Sequence, residues 1–117
     1  MGGANCVPFV CVALSALLSQ LAAVVDKTNL IVVGLYNPLF TVPGSDALIE
    51  NGFNATMAAV ASSFGARFAD PFPVINGNEP TSVGTLTNVC GPLQDIHPNA
   101  AGYQAIANVI FAASGYH

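Results

Sequence analysis

Between residues 8 and 25 the apolar side chains of Val10, Leu14, Leu17, Leu18, Leu21, Val24 and Val25 recur at helical spacing, while Ser15, Ser19 and Asp26 trace another side. That pattern predicts a helix with one apolar face. A polar turn at 26–29 leads into Leu30-Ile31-Val32-Val33-Gly34-Leu35-Tyr36, an unbroken apolar run rich in β-branched residues, which predicts a strand buried on both faces. Asn37-Pro38 ends it, because the residue before proline leaves the helical region and proline cannot donate to a ladder. Ile49, Phe53, Met57, Val60 and Phe64 then form a second helical stripe. Ser45 is placed to cap its start, Asp46 to meet the positive end, and Gly65 to close it after Ser63. Residues 66–70 read as a second parallel strand ending at Asp70. Residues 71–94 hold four of the eight prolines and Asn76-Gly77-Asn78, so a long irregular loop is expected there. A last helix is expected to begin at Pro98, carry Tyr103, Ile106, Ile110 and Phe111, and stop at Gly115.

Helix, strand, helix, strand, loop, helix is the order of an α/β layered domain with parallel strands. At 117 residues the chain is one domain, 1–117. Two strands make an incomplete sheet, since such sheets usually have four to six, and three apolar helices need more cover than two strands provide. The expected fold is therefore part of a parallel α/β sandwich, with an absent segment or a second copy completing the sheet.

Composition narrows the partners. Only 7% of residues are charged, against roughly 25% in ordinary domains, and the net charge is −4. No basic face exists to neutralise phosphates, which argues against nucleic acid. The charge-free run from Cys6 to Val25 is long enough to be weighed as a membrane span or an export segment, but residues 1–5 carry no Lys or Arg for a signal peptide. The one-faced periodicity favours a helix packed on a sheet. Cys6, Cys11 and Cys90 allow at most one internal disulfide, with Cys6 and Cys11 near enough for a short bridge. They form no Cys-x-x-Cys pair, and the histidines are His97 and His117, so neither a metal site nor a cofactor is expected.

Asp95-Ile96-His97-Pro98-Asn99-Ala100-Ala101-Gly102-Tyr103 lies where the loop meets the final helix. A histidine there can project its ring while the helix behind fixes its backbone, and a nearby carboxylate can hold the Nδ1 proton so that Nε2 acts as general base. Asp, Asn and Pro at a helix start are equally the residues of ordinary capping. This block resembles the last block of the SGNH, or GDSL, hydrolases. The likeness extends through the apolar strand with its Tyr36-Asn37-Pro38 end and the helix containing Phe53-Asn54-Ala55-Thr56, a pattern similar to secreted actinobacterial members.

The resemblance implies a flavodoxin-like three-layer α/β/α fold, carboxylic ester substrates, no cofactor, and a secreted protein. It makes His97 the general base and Asp95 its orienting acid. The family has two residues between these, whereas here Ile96 stands alone, which leaves open whether the ring is held by Asp95, a backbone carbonyl or water. Gly3-Ala4-Asn5 resembles the oxyanion-hole block, giving Gly3 and Asn5 that role, although Cys6 replaces the usual acid. None of the seven serines sits in a Gly-Asp-Ser setting after an apolar strand; Ser45, in Gly44-Ser45-Asp46, is a permuted echo. No nucleophile is therefore expected in this chain, nor turnover from it alone. An absent N-terminal stretch would supply both the serine and the lacking strands. The competing readings are a noncatalytic module that binds a partner strand or its own copy at the open sheet edge, and a small exported protein attached to a membrane.

Overall fold

The computed structural model describes residues 8–26 and 29–116. Its elements are mixed: α1 (Pro8–Ala22), β1 (Ile31–Val33), α2 (Ser45–Ala47), a π-helical stretch (Leu48–Asn54), α3 (Ala55–Ser63), β2 (Arg67–Ala69), α4 (Phe72–Asn76), α5 (Thr81–Leu86) and α6 (Ala100–Ser114). The two strands pair in parallel, Val32 opposite Phe68, so the helices between them form the crossover that a parallel pair requires. The protein is α/β, with a two-stranded parallel sheet among the described residues.

Alternation along the strands sends their side chains to different helices. Leu30 and Val32 pack on a cluster of Cys11, Leu18 and Val60, which joins α1 and α3. Ile31, Val33, Arg67 and Ala69 have the opposite parity, and the Arg67 guanidinium donates to the Ala113 carbonyl of α6 at 3.3 Å. A second buried group, Phe72, Ile75 and Val83, lies on α4 and α5.

Several expectations are corrected. The run 30–36 is not buried on both faces: Val33 and Leu35 are exposed, and β1 pairs with no strand besides β2 among the described residues. In α1 only Cys11 and Leu18 are buried, while Leu17 and Leu21 of the predicted stripe are exposed and the Ser15 hydroxyl is buried. Ser45 is the first helical residue, after Gly44 with φ +80°, and provides no side-chain cap. Residues 71–94 contain α4 and α5 instead of an irregular loop. Helix α6 begins two residues beyond Pro98, capped by Asn99, whose Oδ1 accepts from Gly102 N–H at 2.9 Å. Its stripe is half open, with Tyr103 and Phe111 exposed. The expected stop at Gly115 (φ +78°) and the turn at Gly65 (φ +72°) are as read. No helix among the described residues is long and apolar enough to cross a membrane.

Three buried asparagines hold the end of β1. The Asn54 amide pairs with the Leu35 backbone, accepting from N–H at 2.7 Å and donating to C=O at 2.8 Å. Asn76 does the same for Asn37, at 2.8 and 2.9 Å. Each side chain imitates a neighbouring strand, satisfying backbone groups that would otherwise lack partners. The Asn37 amide in turn donates to Ser45 Oγ and Asp46 Oδ1 at 2.8 and 2.7 Å. Gly34 lies under this junction; a Cβ there would meet Asn54 Oδ1 and the Phe68 ring at 2.8 Å.

Candidate active site

Beyond the carboxyl end of β1 the chain from α5 returns to the start of α6, and this return carries Asp95 and His97. Thr87 and Pro98 form an isolated antiparallel bridge. Asn88 N–H donates to the His97 carbonyl and Asn99 N–H to the Leu86 carbonyl, each at 3.0 Å. The Asn99 side chain both caps α6 and donates to the Thr85 carbonyl at 2.7 Å. Gly102 allows the close approach: a Cβ at that position would stand 1.9 Å from the Leu86 oxygen. The Pro-Asn-Ala-Ala-Gly run thus fastens α6 against α5 directly behind the histidine.

Asp95 Oδ1 lies 2.5 Å from His97 Nδ1 and also accepts from His97 N–H at 3.1 Å. The single intervening residue is enough because an aspartate side chain reaches the backbone N–H two positions on, as in an Asx turn, and the ring then folds over the same oxygen. Gln94, with φ +49°, turns the chain into this arrangement. The hydrogen bond from the imidazole, then that from the His97 N–H, with a smaller one from Asn88, holds the Asp95 carboxyl below its ordinary range. With Nδ1–H donated to the carboxylate, the neutral ring carries its lone pair on Nε2. Both side chains meet solvent, 68% exposed for His97 and 42% for Asp95.

His97 borders an apolar cleft of ≈ 330 Å³ lined by Gly34, Leu35, Tyr36, Pro38, Ile49 and Ile96. A second cleft of ≈ 390 Å³, with Leu39, Phe40, Val89 and Cys90 in its wall, shares Pro38 and Ile96 with it. Both adjoin the segment following β1, the end at which open parallel sheets hold ligands. A depression of ≈ 250 Å³ around Asn29, Arg67 and Tyr116 lies at the strands' opening end and contains no acid–base pair.

Of the residues expected to act, Asp95 and His97 are brought together. Gly3, Asn5 and Cys6 lie outside the described residues. Cys11 is disulfide-bonded and Cys90 is a free, exposed thiol. Ser45 Oγ lies 2.8 Å from the Leu39 carbonyl and 2.7 Å from the Val42 carbonyl and accepts from Asn37, so it is a turn residue. Among the described residues no group of His, Cys, Asp and Glu could hold a metal ion. Sequence reasoning assigned no role to Tyr36, Asn54 or Asn76. The Tyr36 hydroxyl donates to the Ile96 carbonyl at 2.6 Å. Burial first, then the nearby Tyr103 and Asp95, raise its pKa above the ordinary tyrosine value. The Tyr-Asn-Pro and Phe-Asn-Ala-Thr strings contained two of these residues, but nothing in their spacing pointed to the partners.

Comparison of the chain with known protein families, curated proteins and solved structures finds no match.

Proposed function

We propose that this chain carries the acid–base half of a carboxylic ester hydrolase of the SGNH type, with His97 as general base and Asp95 as its orienting acid. The observation that carries the reading is the 2.5 Å contact of Asp95 Oδ1 with His97 Nδ1 beside an apolar cleft. In the reaction, Nε2 takes the proton of an attacking hydroxyl and returns it to the departing alkoxide, while Asp95 stabilises the transient imidazolium. The cleft takes the hydrocarbon part of the ester. On this reading the sheet belongs to a flavodoxin-like α/β/α sandwich, and the attacking serine is not one of the seven in this chain. The chain alone should hydrolyse p-nitrophenyl butyrate no faster than its His97→Ala variant. Adding a peptide that bears an apolar strand followed by Gly-Asp-Ser-Leu should create activity that His97→Ala removes. Turnover by the chain alone that disappears in both Ser45→Ala and His97→Ala would overturn the assignment of the nucleophile.

A second reading is favoured by the free side of β1. On one face of β1 Val33 and Leu35 are exposed, and Phe9, Val12 and Leu17 are exposed on α1, which packs the other face, whereas parallel strands are ordinarily covered on both faces. In this reading the chain is an assembly module that takes up a strand from a partner or a second copy. A folded homodimer without esterase activity, either alone or with the added peptide, would support it against the first.

A further inference from the structure

We propose that Tyr36 is a positioning residue for the Asp95–His97 pair, its hydroxyl holding the one peptide unit that sets the geometry of acid and base. The inference rests on reading His97 as the base. The carbonyl that accepts from Tyr36 Oη at 2.6 Å belongs to Ile96, and the N–H that donates to Asp95 Oδ1 at 3.1 Å belongs to His97. These are the two ends of a single planar peptide. Pinning the oxygen therefore limits how far the N–H can swing away from the carboxylate that also receives the imidazole.

The foundation of this strut is firm. Tyr36 precedes Asn37, whose N–H and C=O are both held by the buried Asn76 amide, and follows Leu35, held in the same way by Asn54. The hydroxyl thus carries the order of the β1 terminus across 60 residues of sequence to an exposed turn. On the far side of His97, Asn88 N–H fixes the next carbonyl. The histidine is consequently gripped on both flanking peptides, by Tyr36 and Asn88, with its ring left to face the cleft.

Tyr36→Phe in the full chain tests this, because it keeps the ring and the cleft wall and removes only the donor. By NMR, the His97 amide should exchange with solvent about tenfold faster while the amides of Val60 and Ile75 keep their protection. The Asp95 carboxyl carbon should titrate at higher pH than in the wild type, as its two His97 donors loosen. Tyr103→Phe, an exposed neighbour, should change neither readout. Wild-type exchange and titration in Tyr36→Phe would overturn the proposal. So would equal effects of Tyr103→Phe, or loss of core protection in Tyr36→Phe, which would make the hydroxyl a general prop of the fold. Neither readout involves ester turnover, so an absence of hydrolysis counts against the proposed reaction and not against the strut.

Discussion

Two carboxylates near the end of β1 sit in opposite circumstances. Asp95 is partly exposed in a turn, and every hydrogen bond it accepts favours its charged form. Glu79 is half-buried behind the asparagine junction, where loss of solvation raises its pKa, the Asn76 amide opposes that rise, and hydrogen-bonded Asp46 adds to it. The first arrangement leaves a side chain in water beside a base. The second ties a strand end into the interior, where a lost partner cannot be replaced cheaply by water. The difference is between a turn suited to chemistry and a junction suited to holding the fold.

The largest expected break of this contrast is Asn76→Ala. It strips the Asn37 N–H and C=O of their buried partners and should cost about 2–4 kcal/mol, lowering the thermal midpoint by roughly 10–20 °C for a domain of this size. A loss within about 0.5 kcal/mol, the range of ordinary surface changes, would mean that water takes over from the amide. Gly102→Ala comes next. Its new methyl would collide with the Leu86 carbonyl and Pro98, and displacing a backbone should cost about 1–3 kcal/mol, measured by urea unfolding. Retained stability there would show that α6 can slide away from α5.

The pH dependence sharpens the comparison because the two carboxylates act with opposite sign. For Glu79 the raised folded pKa means stability that is complete below the unfolded glutamate value and lost as pH rises through the folded one. For Asp95 the lowered folded pKa means stability present above the unfolded aspartate value and lost as pH falls through the folded one. Melts from acidic to neutral pH should therefore show Glu79→Gln removing a decline on the alkaline side of the glutamate range. Asp95→Asn should remove a decline on the acid side of the aspartate range. The same sign for both would refute the contrast. The smallest expected effect is that of His97→Ala on stability, within about 0.5 kcal/mol as for other exposed positions, even though the proposed chemistry would vanish. A larger loss would place the histidine in the fold's support.

Periodicity and breaker residues established the helical segments near 8–22, 45–63 and 100–114 and, with the element order, two parallel strands that are shorter in the structure, because burial against a common core imposes its spacing on the sequence whatever the partners are. The block around His97 was legible for a related reason: Asp, Pro, Asn and Gly are needed locally, by a turn, a helix start and a close approach. Strand coverage was not legible, since an apolar run looks the same whether its neighbours cover it fully or, as at Val33 and Leu35 among the described residues, leave it partly exposed. The helices at 72–76 and 81–86 were hidden by prolines, which read as breakers but occupy first turns and flanks here. The contact of Asp95 with His97 across one residue, the amide pairs at Leu35 and Asn37, and the reach of Tyr36 to Ile96 were decided by tertiary structure alone. Each depends on atoms meeting at about 3 Å, and sequence spacing constrains which residues are available for such meetings but not which of them occur.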